Sequence, residues 1–107
     1  MNLVDLPVEA LVARAAHAAT TLKLLANEQR LLLLCRISQG EVSVNDLVNH
    51  LGNSQSSVSQ HLARLRDGGL VATRRDGTAI YYRVADASVY QLIDMLCARF
   101  GSSNSDV

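Results

Sequence analysis

Cysteine is nearly absent from this 107-residue chain: only Cys35 and Cys97 occur, too few for a disulfide scaffold and without the paired spacing of a zinc site. They are either small buried hydrophobes or a redox pair. No apolar run approaches the roughly 20 residues that a membrane span requires. Residues 1–10 have neither the basic start nor the apolar centre of a secretory signal, so a cytoplasmic location is expected. A glycine-rich phosphate loop, a nucleophile elbow and a Cys-His-acid set are all missing, which argues against an enzyme. Net charge is missing too, with 10 basic against 10 acidic residues. The balance is uneven, however. Between residues 54 and 84 the five arginines Arg64, Arg66, Arg74, Arg75 and Arg83 stand against only Asp67 and Asp76, a local net charge of +3 that the rest of the chain offsets.

What is present is 49% apolar content, enough for one domain with a modest core, and no repeat or linker divides it. A single domain over residues 1–107 is expected, ordered from about 8 to 100 with a flexible polar tail at 101–107. After Pro7, the residues Val8, Leu11, Val12, Ala15, Ala19, Leu22 and Ala26 recur at helical spacing. Asn27 is a candidate N-cap for a second helix, apolar nearly all round through Leu31–Leu34, Cys35 and Ile37, which belongs at the centre of the core. Ser43 followed by Asp46 resembles a capping box and opens a short third helix that stops at Gly52. Gly52, Asn53 and Ser54 separate it from a fourth helix with Val58, Leu62 and Leu65 on one face and an end at Gly68 and Gly69. Two short helices joined by a tight glycine-containing turn read as helix-turn-helix. Residues 70–75 and 78–84 then form a β-hairpin, or wing, around Asp76-Gly77. Behind the candidate cap Asp86, the residues Val89, Leu92, Ile93, Leu96, Cys97 and Phe100 mark a last amphipathic helix. The expected architecture is therefore mainly α with a β-hairpin wing, in the order α-α-α-α-β-β-α.

The start of the fourth helix is rich in Ser and Gln, which favour caps and solvent rather than helix interiors. At about 100° per residue, Gln55, Ser56, Ser59, Gln60, Ala63 and Arg66 share one face, opposite Val58, Leu62 and Leu65. Short polar side chains let a helix sit deep in a major groove, where Gln can bond adenine and Ser a base or phosphate. Arg74 and Arg75 precede the hairpin turn, positioned to meet phosphates or a minor groove. The candidate DNA-binding set is therefore Ser54, Gln55, Ser56, Ser57, Ser59, Gln60, Arg66, Arg74 and Arg75. A winged-helix protein-interaction module remains the alternative, because fold alone does not give function.

Across nearly its whole length the chain resembles the ArsR/SmtB family of winged helix-turn-helix repressors. The stretches that carry the resemblance are Ala26-Asn27-Glu28-Gln29-Arg30-Leu31, Ser43-Val44-Asn45-Asp46-Leu47, Ser54-Gln55-Ser56-Ser57-Val58-Ser59-Gln60-His61-Leu62, Leu65-Arg66-Asp67-Gly68-Gly69-Leu70-Val71 and Arg74-Arg75-Asp76-Gly77. The resemblance implies a homodimer built from the first and last helices, bound to an inverted-repeat operator in double-stranded DNA until an inducer releases it. The apolar stripes on both terminal helices agree with that assembly.

Metal-sensing relatives place cysteines in the third helix, where this chain has Ser43 and Asn45, or histidine and carboxylate ligands along the last. Here Asp86 and Asp94 are followed by no histidine, and His17, His50 and His61 lack ligand spacing, so neither a metal nor another cofactor is expected. Cys35 matches the first cysteine of relatives that respond to reactive sulfur or oxidants. Alignment through Gln91-Leu92-Ile93 puts their second cysteine at Gly101, whereas Cys97 lies one turn earlier on roughly the same face, about 6 Å away. The resemblance thus makes Cys35 and Cys97 a candidate redox pair. Burial in the core, a small apolar inducer at the dimer interface, and the absence of any inducer stay open beside it.

Overall fold

The computed structural model describes residues 2–101. After a 3-10 turn at Leu3–Asp5 the elements run α1 (Val8–Leu25), α2 (Glu28–Ile37), β1 (Val42–Ser43), α3 (Val44–Leu51), α4 (Gln55–Asp67), β2 (Val71–Asp76), β3 (Ala79–Val84) and α5 (Ala87–Gly101). Each expected helix is present, and four of the five starts, all but that of α1, carry a side-chain cap. The Asn27 side chain accepts from the Arg30 N–H, Ser43 from Asp46, Ser54 from Ser57 and Asp86 from Val89, each satisfying an amide that the first turn leaves without a partner. Gly52 ends α3 with a φ of 72°, a left-handed conformation that glycine adopts without steric cost.

Three boundaries differ from expectation. A two-residue strand, β1, pairs Val42 with Tyr82 and Ser43 with Tyr81, making the wing a three-stranded sheet of order β1-β3-β2. The hairpin register pairs Asp76 with Ala79, so the turn is Gly77-Thr78 rather than Asp76-Gly77. Gly77, at φ 64°, occupies the first central position, where a II′ turn favours glycine. Finally, residues 2–7 are described and α5 extends through Gly101, one residue into the expected tail; the remainder, 102–107, lies outside the described residues.

The core is formed by Leu25, Leu33, Leu34, Ile37, Val42, Leu47, Val58, Leu62, Leu65, Leu70, Val71 and Ile93. Its centre is α2, which touches all four other helices and β3. By contrast α1 is exposed along most of its length, with Val12 at 64% and Leu22 at 59% exposure. The radius of gyration, 15.6 Å, exceeds the roughly 13 Å of a compact chain this long, as a projecting helix requires.

Candidate nucleic-acid interface and cysteine pair

The α3–α4 hairpin buries one face and leaves the other in water. Val58, Leu62 and Leu65 are fully buried, while Gln55, Ser56, Ser59, Gln60, Ala63 and Arg66 are all exposed, matching the expected division of α4. Two of the candidate residues carry structural duties. The Ser54 hydroxyl caps α4 by accepting from the Ser57 N–H at 3.1 Å, and Ser57 is itself half-buried. Gln55 and Ser59 open onto a groove of about 590 Å³, with Asn45 and Asp46 at the start of α3 on one side and Thr78 and Tyr81 of the wing on the other. Arg66 is not part of that cluster. It sits in the last turn of α4, about 16 Å along the helix from Gln55.

The two wing arginines separate. Arg74 pairs across the strands with Tyr81 and Arg75 with Ile80, so their side chains leave opposite faces of the sheet. Arg74 is engaged: its Nε lies 3.0 Å and its Nη2 2.7 Å from Glu41 Oε1, and its guanidinium lies 4.8 Å from the centre of the Tyr81 ring. The hydrogen bond from Arg74 holds the Glu41 carboxyl below its usual range, and the same bond raises Arg74. Arg75 is exposed beside the turn. Neither the Glu41 partner nor the place of Tyr81 in the groove was visible in the sequence, since Glu41 is 33 residues from Arg74 and no short-range pattern links them.

Cys35 on α2 and Cys97 on α5 are bonded to each other across the helix interface, with a Cα–Cα distance of 6.2 Å, inside the span a disulfide accepts. Both are half-buried against the edge of the core. The one-turn offset of Cys97 therefore leaves it facing Cys35. Among the described residues no group of three or more His, Cys, Asp or Glu side chains could hold a metal ion, and no helix is long and apolar enough to cross a membrane. His50 Nδ1 lies 2.7 Å from the Asp46 carbonyl in its own helix. His61 is half-buried, 3.5 Å from an Arg30 nitrogen, and its pKa is lowered first by burial and then by the charges of Arg30 and Arg64.

A capped helical hairpin with one polar exposed face, followed by a basic β-wing, defines a winged helix-turn-helix DNA-binding protein. Residues 27–73 match the model of the family described as "Bacterial regulatory protein, arsR family". The Biofilm growth-associated repressor of Agrobacterium fabrum is 40% identical over 100 residues, covering 94% of this chain and 86% of that one. Among solved structures, reduced HlyU from Vibrio cholerae superimposes with a TM-score of 0.80 at 38% identity, covering 86% of this chain and 97% of that one. The homodimeric winged helix-turn-helix DNA-binding domain of Mb0332 from Mycobacterium bovis does so with a TM-score of 0.76 at 36% identity, covering 81% of each chain. The chain belongs to the ArsR family, and it is a DNA-binding regulator of transcription rather than an enzyme.

Proposed function

We propose that this protein is a homodimeric repressor that lays α4 in the major groove of an inverted-repeat operator, with Ser54, Gln55, Ser56, Ser57, Ser59 and Gln60 at the bases and nearest phosphates, and Arg66, Arg74 and Arg75 on the backbone. The observation that carries this reading is the exposed polar face of α4 opposite fully buried Val58, Leu62 and Leu65. The apolar side chains left exposed on α1 and α5 support a dimer, as does the homodimeric state of the Mb0332 domain. Residues 1–107 act as one domain, and a bacterial regulator of this kind works beside the chromosome, in the cytoplasm.

Release is proposed to follow oxidation of Cys35 and Cys97, supported by their juxtaposition between α2 and α5. With a hydroperoxide, one thiolate takes an oxygen to become a sulfenic acid and an alcohol or water leaves; the second thiol attacks that sulfur, the S–S bond forms and water departs. With a low-molecular-weight persulfide, one cysteine accepts the outer sulfur and a thiol leaves; the second cysteine attacks the inner sulfur and hydrogen sulfide departs. A second reading, release by a small apolar ligand, is favoured by a groove of about 260 Å³ lined by Glu28, Leu31, Leu32 and Cys35.

Fluorescence anisotropy on the DNA upstream of its own gene and on scrambled DNA tests the reading. Reduced protein should prefer the upstream DNA, lose it on treatment with persulfide or peroxide, and regain it with reductant. Gln60→Ala should relax sequence preference, whereas Arg75→Ala should weaken binding to all sequences and flatten the salt slope by about one unit. Cys35→Ser should bind normally and fail to release. Equal binding of both DNAs would sink the repressor; normal release by Cys35→Ser would sink the thiol switch and send the search to the groove at Leu31 and Leu32.

A further inference from the structure

α2 is held at two places by different parts of the molecule. In its second half, Cys35 is bonded to Cys97 of α5. In its first turn, two side chains leave the helix toward the DNA-reading unit. Gln29 Oε1 accepts a hydrogen bond from Asn53 Nδ2, in the turn that joins α3 to α4. Arg30 donates through Nε to the Leu24 carbonyl of α1 at 2.6 Å, and its Nη1 lies 3.5 Å from His61 Nδ1 on α4. Gln29 and Arg30 lie about 9 Å and 7.5 Å along the axis from Cys35, and about 120° and 140° around it. The sulfur and the two polar grips therefore occupy different sides of one helix.

A helix of ten residues with three side chains sealed in the core does not bend to absorb a pull on one end; it shifts as a body until its contacts repack. Asn53 is the residue that such a shift meets next to the reading helix, because Ser54, its neighbour, caps α4. We infer that Gln29, through its bond to Asn53, is a positioning residue by which the state of the Cys35–Cys97 pair sets the attitude of α4, with Arg30 against His61 as the parallel grip one residue on. The inference rests on the redox release proposed above. It makes α2 the link: α5 holds it by a sulfur, and it holds the helix-turn-helix by an amide.

The test is the ratio of operator Kd in oxidised protein to that in reduced protein. A substitution that merely loosens the fold changes both constants and leaves their ratio alone. Wild-type protein should show a ratio of at least tenfold. Gln29→Ala should cut it at least threefold, Asn53→Ala should cut it by the same factor, and the double variant should cut it no further, since both remove one bond. Gln29→Glu, whose carboxylate still accepts from Asn53, should keep the wild-type ratio. Asn53→Ala carries the test if Gln29→Ala does not fold. An unchanged ratio in a folded alanine variant, or losses that multiply in the double variant, overturns the link while leaving the redox switch standing. A wild-type ratio of one overturns the switch and the link together.

Discussion

The DNA-reading unit and the terminal helices reach different degrees of completeness within one chain. Among the described residues, the large hydrophobic side chains left exposed are Leu3, Val4, Val8, Val12, Leu22, Leu32, Tyr90, Met95 and Phe100, and none lies between residues 33 and 89. The reading unit closes its own apolar surface around Leu47, Val58, Leu62, Leu65 and Val71, and caps its own helices. The terminal helices do not close theirs, for α1 buries only Leu25 and α5 only Ile93. The difference separates two tasks that a single core would mix: the reading surface is shaped by local packing, whereas in the proposed dimer the spacing between two such surfaces is left to an interface between chains.

The largest effect should come from breaking the unfinished side. Val12→Glu with Leu22→Glu should convert the proposed dimer to monomer in sedimentation and weaken operator binding by about a hundredfold, because the two half-sites are no longer bound together. A dimer that persists in this variant would place the interface elsewhere. The finished side can then be probed in the same monomeric background. It should still unfold cooperatively in urea, and Leu62→Ala, at a position with 0% exposure, should lower its stability by about 2–5 kcal/mol. A monomer without a cooperative transition would show that the reading unit also depends on the partner. The smallest effect concerns pH. Burial and the neighbouring Arg30 and Arg64 charges depress the His61 pKa in the folded state, so the neutral ring is the one the fold favours. Its contribution is complete above about 6.5 and is lost as pH falls through the lowered folded value. The melting midpoint should drop on acidification below that point, and by less in His61→Gln; identical pH profiles would remove His61 from the account.

The helices could be read in the sequence because their causes are local: Asn27, Ser43, Ser54 and Asp86 each act on an amide three residues away. The polar face of α4 was legible for the same reason, since the period of the helix alone divides it from Val58 and Leu62. Features made by distant residues were not. β1 is two residues long and exists only because Val42 finds Tyr82, and the shift of the hairpin turn by one residue follows from the register of the whole wing. The engagement of Arg74 by Glu41 and of Asn53 by Gln29 links segments 33 and 24 residues apart, with no pattern between them. The cysteines fall between these cases. Their shared helical face could be counted from the sequence, but their 6.2 Å Cα separation depends on how α2 and α5 pack.

The bond between Cys35 and Cys97 spans 62 residues, and the loop it closes contains β1, α3, α4 and the entire wing. Closing a loop of that length removes unfolded conformations worth about 4 kcal/mol. The oxidised chain is thus harder to unravel than the reduced one, and the proposed release from the operator would coincide with that gain in durability. Under the redox release proposed above, such a regulator would be withdrawn from DNA without being discarded, persisting through the oxidising episode until the bond is reduced.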